Sequence, residues 1–379
     1  MYTPGVLITD LPTPQVLVDL PRLTRNIERM QAAASQAGLR LRPHAKTHKS
    51  PAVARLQLER GAVGICCAKL GEAEVFAAAG VADIRLPYPL NPANHARVVA
   101  LMDRAHVSII VDHPAVAAGW AEAMARAGRT LDVLVKVDVG YHRCGVDPRA
   151  PGAMALIRQV ASAPGLRFRG LLSHAGHGYH AHSEAELRQI AATEAELLLV
   201  MKDASESDGV AVDEVSVGAT PTARFSVAQP GLSELRPGNY VYFDRTQVGL
   251  GAAAPADCAL TVYATVVSKP SADRVILDCG SKTLSSDAAR GFAAAPGYGA
   301  VLPAPASDDP DDSLLVERLS EEHATVRVLT GRTALEPGDR VRVLPNHACV
   351  VSNLVDEIRL VEGLRVLETL PVAARGRIA

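Results

Sequence analysis

From residue 39 to residue 237 the chain alternates short apolar, β-prone runs with longer Ala-rich stretches of helical period. The runs cover residues 39–43, 63–67, 83–87, 107–111, 131–138, 168–174, 214–217 and 233–236, and each predicts a strand. Helices are expected between them at 50–59, 69–79, 93–101, 114–126, 153–163 and 185–207. Strand and helix in regular alternation predict a parallel sheet with right-handed crossovers. Eight such units predict an α/β fold built on a closed (β/α)8 TIM-type barrel, with a doubly wound open sheet as the structural alternative.

After Gly238 the pattern changes. Short runs at 262–267, 275–279, 325–329, 340–344, 357–361 and 364–370 are separated by Gly, Pro and Asp, and no helical period lies among them. This predicts a β-rich second domain. The division expected is a barrel over residues 15–245 and a β-rich domain over 246–379, with residues 1–14 packing against the latter. The run at 15–19 precedes the barrel by a helix at 22–37 and is a candidate partner for the second domain. The stretch 304–312, with its Pro, Ser and Asp, reads as a loop.

Composition narrows the functional classes. At 379 residues the chain has room for a barrel and a smaller domain. Aromatics are only 4%, so the core must rest on Ala, Val and Leu. A net charge of -2 leaves no electrostatic footprint for nucleic acid. No apolar run approaches the roughly 20 residues of a membrane helix, so no membrane partner is expected. The opening MYTPGVLITDLPTP has no basic region followed by an apolar stretch, and a cytoplasmic protein is expected. The six cysteines include no CxxC pair, which suits buried thiols or ligands better than disulfides.

Barrel enzymes place their chemistry at the C-terminal ends of the strands. The first strand ends in Arg42-Pro43-His44-Ala45-Lys46, where a lysine ringed by basic groups is a candidate for a lowered pKa and for Schiff-base chemistry. The fifth run leads to Arg143, a candidate donor to an anionic oxygen. The sixth leads to His174, His177, Tyr179 and His180. The last two end in small turns, Gly218-Ala219-Thr220 and Gly238-Asn239, whose backbone N–H groups and hydroxyls suit a phosphate. Late in the chain, His347 and Cys349 stand at i and i+2, on one face if the segment is extended, and imidazole with thiolate suits Zn²⁺. Each has an ordinary reading as well: a solvated lysine, a surface arginine, a core histidine, a structural turn, a chance His-x-Cys.

Taken together, RPHAKTHK, ICCAKLGEAEVFAAAGVADI, VDVGYHRCGV, SHAGHGY, SVGATPT, RPGNY and PNHAC resemble the fold-type III pyridoxal-phosphate enzymes of the D-threonine aldolase / D-serine dehydratase family. The resemblance spans essentially the whole chain. It implies that Lys46 holds pyridoxal 5'-phosphate as a Schiff base and that Arg143 lies near the cofactor's phenolic oxygen. It places His174 against the ring and Tyr179 at the cofactor or substrate. Gly218, Thr220, Gly238 and Asn239 are implied at the phosphate, and His347 and Cys349 at a divalent metal. Thiolate ligation favours Zn²⁺ over Mn²⁺ or Mg²⁺.

The implied activity is a lyase for D-β-hydroxy amino acids. The Cys in His-x-Cys and the SHAGxxY element favour a D-serine/D-threonine dehydratase, with Lys46 as base. The alternative is a D-threonine aldolase, with His177 or His180 as base. An amino-acid racemase and a non-catalytic cofactor carrier are further readings, opposed by the metal pair and by the second domain. A homodimer is implied. Lys282, Arg85 and Arg224 are weaker candidates for a substrate carboxylate, and the loop 284–299 is expected to influence pocket size.

Overall fold

The computed structural model describes residues 5–379. Strand β1 (Gln15–Asp19) runs into helix α1 (Leu20–Gln36), whose start is capped by Asp19 accepting from Arg22 N at 2.9 Å and by a proline in the first turn. Eight parallel strands follow: β2 (Arg40–Leu41), β3 (Ile65–Cys66), β4 (Asp83–Pro89), β5 (His106–Val111), β6 (Leu131–Lys136), β7 (Leu166–Leu172), β8 (Glu214–Val217) and β9 (Glu234–Leu235). The helices α2 (Pro51–Glu59), α3 (Leu70–Ala78), α4 (His95–Met102), α5 (Pro114–Arg126), α6 (Pro151–Ser162) and α7 (Glu184–Ser207) fall where helical period is read from the sequence.

The strand order is β2-β9-β8-β7-β6-β5-β4-β3, each pair parallel. The two ends of this sheet meet. Val63 N donates to Leu41 O at 2.9 Å and Cys66 N to Pro43 O at 2.8 Å, which closes the barrel and removes the open-sheet alternative. Strands such as β6, LDVLVK, are buried at every position because helices cover the outside while the barrel fills the inside.

The barrel interior departs from the usual aliphatic layers. Arg85 donates to Ser108 Oγ at 2.9 Å and to Glu214 at 2.7 Å, and also pairs with Glu234. Arg42 Nε donates to Glu234 at 2.8 Å. Buried charge of this kind persists only when every member has its partner. Arg85 is thus a structural cation, not a carboxylate receptor for substrate. The apolar core lies between strands and helices, and its one tryptophan, Trp120, donates Nε1–H to Leu90 O at 2.9 Å.

The second sheet has nine strands in the order β11-β14-β13-β12-β15-β10-β1-β16-β17, with β10 also paired to β11. Its members are β10 (Leu260–Ser271), β11 (Arg274–Leu277), β12 (Ala300–Leu302), β13 (Leu314–Leu319), β14 (Ala324–Val328), β15 (Arg340–Leu344), β16 (Glu357–Glu362) and β17 (Arg365–Pro371). The double pairing of β10 rolls six of them into a small barrel. Strand β1 lies within this sheet and not in the parallel one, antiparallel to β10 with Val16 opposite Val262 and parallel to β16. Of the N-terminal residues expected to pack here, 1–4 lie outside the described residues. Thr13 Oγ1 lies 2.5 Å from both Thr265 Oγ1 and Asp278 Oδ2, and Ile8 is buried with Tyr263 and Val361.

Four short helices were not expected: α8 (Thr220–Ser226), α9 (Arg245–Gly249), α10 (Ser281–Leu284) and α11 (Ala348–Leu354). The last three correct the expectation that nothing helical follows residue 238. In α11 the sequence ACVVSNL is apolar and β-branched enough to read as strand, yet it forms two turns beneath the barrel mouth. The stretch 304–312 is loop, as its composition implies.

Candidate functional site

The C-terminal ends of the barrel strands and the start of α11 enclose a cavity of about 540 Å³. That is the size range of small-molecule and cofactor sites. It is lined by Lys46, Arg143, His174, Tyr179, Gly218, Thr220, Gly238, Asn239, His347 and Cys349, so the structure brings together side chains from six separate motifs. His177 does not line the cavity; it stands half-buried on the far side of its turn, against Gly140. His180 is exposed. Lys282 pairs with Glu321 and Glu322 on the surface, and Arg224 donates to Leu250 O and Gly251 O. None of these reaches the cavity.

Lys46 sits in the single turn Ala45–Thr47 that follows β2. His44 caps this turn, its Nδ1 accepting from Lys46 N at 3.3 Å. Burial lowers the Lys46 pKa, and the Arg143 guanidinium lowers it further against the opposing pull of Cys349 and Glu72. The amine is therefore biased toward its neutral, nucleophilic form. His44 and His174 are both held well below the ordinary imidazole range, by burial first and then by Lys46. His174 Nδ1–H donates to Gly218 O at 2.5 Å, which fixes the ring plane, and Tyr141 meets it edge-on at 5.8 Å. Arg143 lies over the Tyr141 ring at 5.1 Å.

The two glycine turns approach each other closely. A Cβ at Gly218 would lie 2.9 Å from Arg236, and one at Gly238 would lie 3.0 Å from His44 O. Only glycine leaves this backbone free to face the cavity. Tyr240 N donates to Thr220 Oγ1 at 3.3 Å and ties the turns together. Thr220 begins α8, so the expected turn Gly218-Ala219-Thr220 ends at Ala219.

His347 and Cys349 are not on an extended strand. His347 precedes α11 and Cys349 lies in its first turn. Asp287 Oδ2 accepts from His347 Nδ1 at 2.6 Å, leaving the other ring nitrogen for a ligand. Burial opposes the imidazolium, but Cys349, Asp244 and Asp287 around it push His347 up to about 10. Burial likewise opposes the Cys349 thiolate, and His347 outweighs it, so the thiol is lowered. Cys349 Sγ lies 3.2 Å from Thr47 Oγ1, next to Lys46 in sequence. No set of three or more His, Cys, Asp or Glu side chains is poised for a metal among the described residues. A metal at the pair must complete its shell from substrate or water.

Asp244 was not anticipated. It is buried, accepts from Asn239 Nδ2 at 2.6 Å, from Ala348 N at 2.9 Å and from Gln247 N at 3.0 Å, and so joins the Gly238-Asn239 turn to the segment that carries His347 and Cys349. The signal available was Asp with Gln three residues on, the pattern of a helix start. Glu72, Lys49 and Asn353 form another unforeseen brace: Lys49 Nζ lies 3.1 Å from Glu72 and donates to Asn353 at 2.7 Å.

The cavity is cationic. Lys46, Lys49, Lys69 and Lys136, with Arg143, Arg236 and Arg290, face only two carboxylates, Glu72 and Asp244. Such a donor set fits a ligand carrying phosphate together with a carboxylate substrate. The two close-packed glycine turns, tied together at Thr220, form the end of the cavity suited to an anionic oxygen group.

Residues 18–246 match the family described as alanine racemase, N-terminal domain, and residues 259–361 match the putative serine dehydratase domain. A D-threonine aldolase of Arthrobacter sp. is 34% identical over 98% of this chain and 95% of its own length. A D-threo-3-hydroxyaspartate dehydratase of Delftia sp. (strain HT23) is 35% identical over 89% of this chain and 91% of its own. A solved cysteine-to-alanine variant of D-threo-3-hydroxyaspartate dehydratase, in the metal-free form, superposes with a TM-score of 0.91 at 31% identity, covering 97% of this chain and 99% of that one. The chain therefore belongs to the fold-type III pyridoxal-phosphate family, among the lyases that join an alanine racemase-like barrel to a serine dehydratase-type domain.

Proposed function

We propose that the chain is a D-serine/D-threonine-type dehydratase, converting a D-β-hydroxy amino acid to a 2-oxo acid and ammonia. The observation that carries this reading is the His347–Cys349 pair in the same cavity as Lys46. A base for Cα and a ligand pair for a hydroxyl-activating metal then serve one substrate. Lys46, Arg143, His174 and the turns at Gly218, Thr220, Gly238 and Asn239 would hold pyridoxal phosphate. When bound, it supplies an aldehyde for amines and an electron sink for the bonds at Cα. His347 and Cys349 would hold a divalent metal, zinc by the softness of the thiolate, and the chemistry it would supply there is Lewis-acid polarisation of a hydroxyl.

The chain's own groups do the rest. Lys46 Nζ, biased to the neutral form, takes the Cα proton. His174, fixed by Gly218 O, keeps a flat uncharged face toward the cofactor. Arg143 holds an anionic oxygen. Tyr179, kept protonated by burial, lines the cavity as a neutral hydroxyl that can donate a hydrogen bond to cofactor or substrate. His177 and His180 both stand outside the cavity, which counts against either as the base for carbon–carbon cleavage.

The second reading is retro-aldol cleavage to glycine and an aldehyde, favoured by the likeness to the Arthrobacter aldolase across 98% of the chain. Product analysis by NMR with D-threonine separates the two. Formation of 2-oxobutanoate and ammonium is expected. Glycine with acetaldehyde would replace the dehydratase by the aldolase, and appearance of L-configured product would point to a racemase. We also propose a homodimer, as family resemblance implies; a fully active monomer in sedimentation analysis would contradict it.

A further inference from the structure

We propose that Arg290 selects substrates that carry a second carboxylate on Cβ, the 3-hydroxyaspartate class. This rests on the reading of the cavity as a D-β-hydroxy amino acid lyase and deepens it.

Arg290 belongs to the segment between α10 and β12, which the sequence singled out for pocket size. That segment is seated firmly. Arg290 N donates to Thr246 Oγ1 at 3.2 Å and Ala293 N to Gly249 O at 3.0 Å, both on α9. A Cβ at Gly249 would come within 2.7 Å of Arg290 O, so only glycine lets the segment lie this close. Two of its side chains turn to the site. Asp287 bonds His347, and Arg290 lines the cavity, its charge felt at the Tyr179 hydroxyl.

The other cations of the cavity have occupations, except Lys136, which lies buried at the end of β6 and is lowered to about 7 by that burial and by Arg236, so it is the weakest cation of the set. Lys49 is paired with Glu72 and Asn353. Arg236 is turned inward onto Ser173 O and Ser216. Lys69 lies over the Tyr88 ring at 5.6 Å. Lys46 and Arg143 are assigned to the cofactor. Arg290 makes no ion pair with any described carboxylate. An exposed guanidinium at a cavity wall, anchored through its backbone and left without an acid, is a receptor for a planar anion.

Its position decides which anion. Arg290 shares a segment with the carboxylate that orients His347, so it stands on the side of the cavity that meets Cβ and its hydroxyl. The α-carboxylate belongs with Cα, on the side of Lys46. With the hydroxyl directed at His347 and Cys349, the remaining substituent on Cβ faces Arg290. A carboxylate there gains a charged partner; the methyl of threonine or the hydrogen of serine gains nothing.

The test measures kcat and KM for wild type, Arg290→Gln and Arg290→Lys, loaded with cofactor and zinc, on D-threo-3-hydroxyaspartate, D-serine and D-threonine. Arg290→Gln is expected to raise KM for hydroxyaspartate roughly 10- to 100-fold, the loss of a charge-assisted hydrogen bond, with little change in kcat. D-Serine and D-threonine are expected to stay within about two- to threefold of wild type, and Arg290→Lys to recover part of the loss. An unchanged KM for hydroxyaspartate overturns the inference, as does an equal loss on all three substrates, which would place Arg290 on the shared α-carboxylate. Turnover of none of the three by wild type would overturn the functional reading as well. An active wild type with an indifferent variant overturns this inference alone.

Discussion

Lys46 illustrates how position makes chemistry. Of the lysines in the chain it is the one placed in the first turn after β2, open to the cavity but desolvated by the protein around it and close to Arg143, and both features act against its charge. Cys349 is the converse: burial alone would raise its thiol, and His347 reverses the sign. Asp287 holds that histidine by one nitrogen. Removing a carboxylate of this kind typically costs a metal site 10- to 100-fold in affinity. Asp287→Asn is therefore expected to weaken zinc binding by about that factor, read by competition with a chromophoric chelator. Cofactor absorbance should be unaffected, and unchanged zinc affinity would remove Asp287 from the account. The motif residues were legible as a set because several strand ends carried chemistry at once. Asp244, Glu72 and Arg290 were not, because their roles come from neighbours far along the chain.

At the scale of elements, the eight parallel strands were readable because burial on both faces leaves uninterrupted apolar runs. The charges inside them were not: nothing local in β4 or β9 shows that Arg85 and Glu234 meet inside the barrel. Glu234 is held down to about 2, burial opposing the charge and Arg85 and Arg42 outweighing it. Glu234→Gln removes the acid that the two buried guanidiniums share, leaving Arg85 with Glu214 alone and Arg42 with Asp83 alone. We expect a loss of about 3–5 kcal/mol in urea unfolding; a loss below about 1 kcal/mol would show that the network relaxes around the change. The short helices escaped the sequence for a different reason. In α8 and α11 periodicity has too few residues to register, and in α11 the first N–H groups find a distant partner, Ala348 N donating to Asp244. That is why His347 and Cys349 were read as one face of a strand, though they converge at a helix start. Strands β12 and β13 were missed as well, the first being only three residues long.

At the scale of the molecule, the barrel presents the lysine, arginine and histidine, while the β unit presents His347 and Cys349 through α11. Strand β1, from before the barrel, is built into the second sheet and ties the two halves together. The opposite end of the barrel carries a separate titratable group. His106 is raised to about 9, first by its bond to Asp132 at 2.9 Å and then by Asp83. Asp83 also meets Arg42, and Asp132 meets Arg167 and Arg169. A histidine whose folded pKa lies above its unfolded value of 6.5 stabilises fully below that value and progressively less as pH rises toward about 9. Thermal stability is thus expected to fall between those limits, and to fall less in His106→Gln. Parallel melting curves for both proteins from pH 6 to pH 9.5 would dismiss the effect. Because this group is remote from the cavity, the loss concerns the fold and not turnover.

The account turns on Lys46 as the residue that holds the cofactor in the cationic cavity. Borohydride reduction of the pyridoxal phosphate-loaded protein, followed by peptide mass mapping, tests this directly. A single phosphopyridoxyl group on Lys46, with no turnover in Lys46→Ala, is the predicted result. A label on another cavity lysine, such as Lys136 or Lys49, or no label at all, would contradict it.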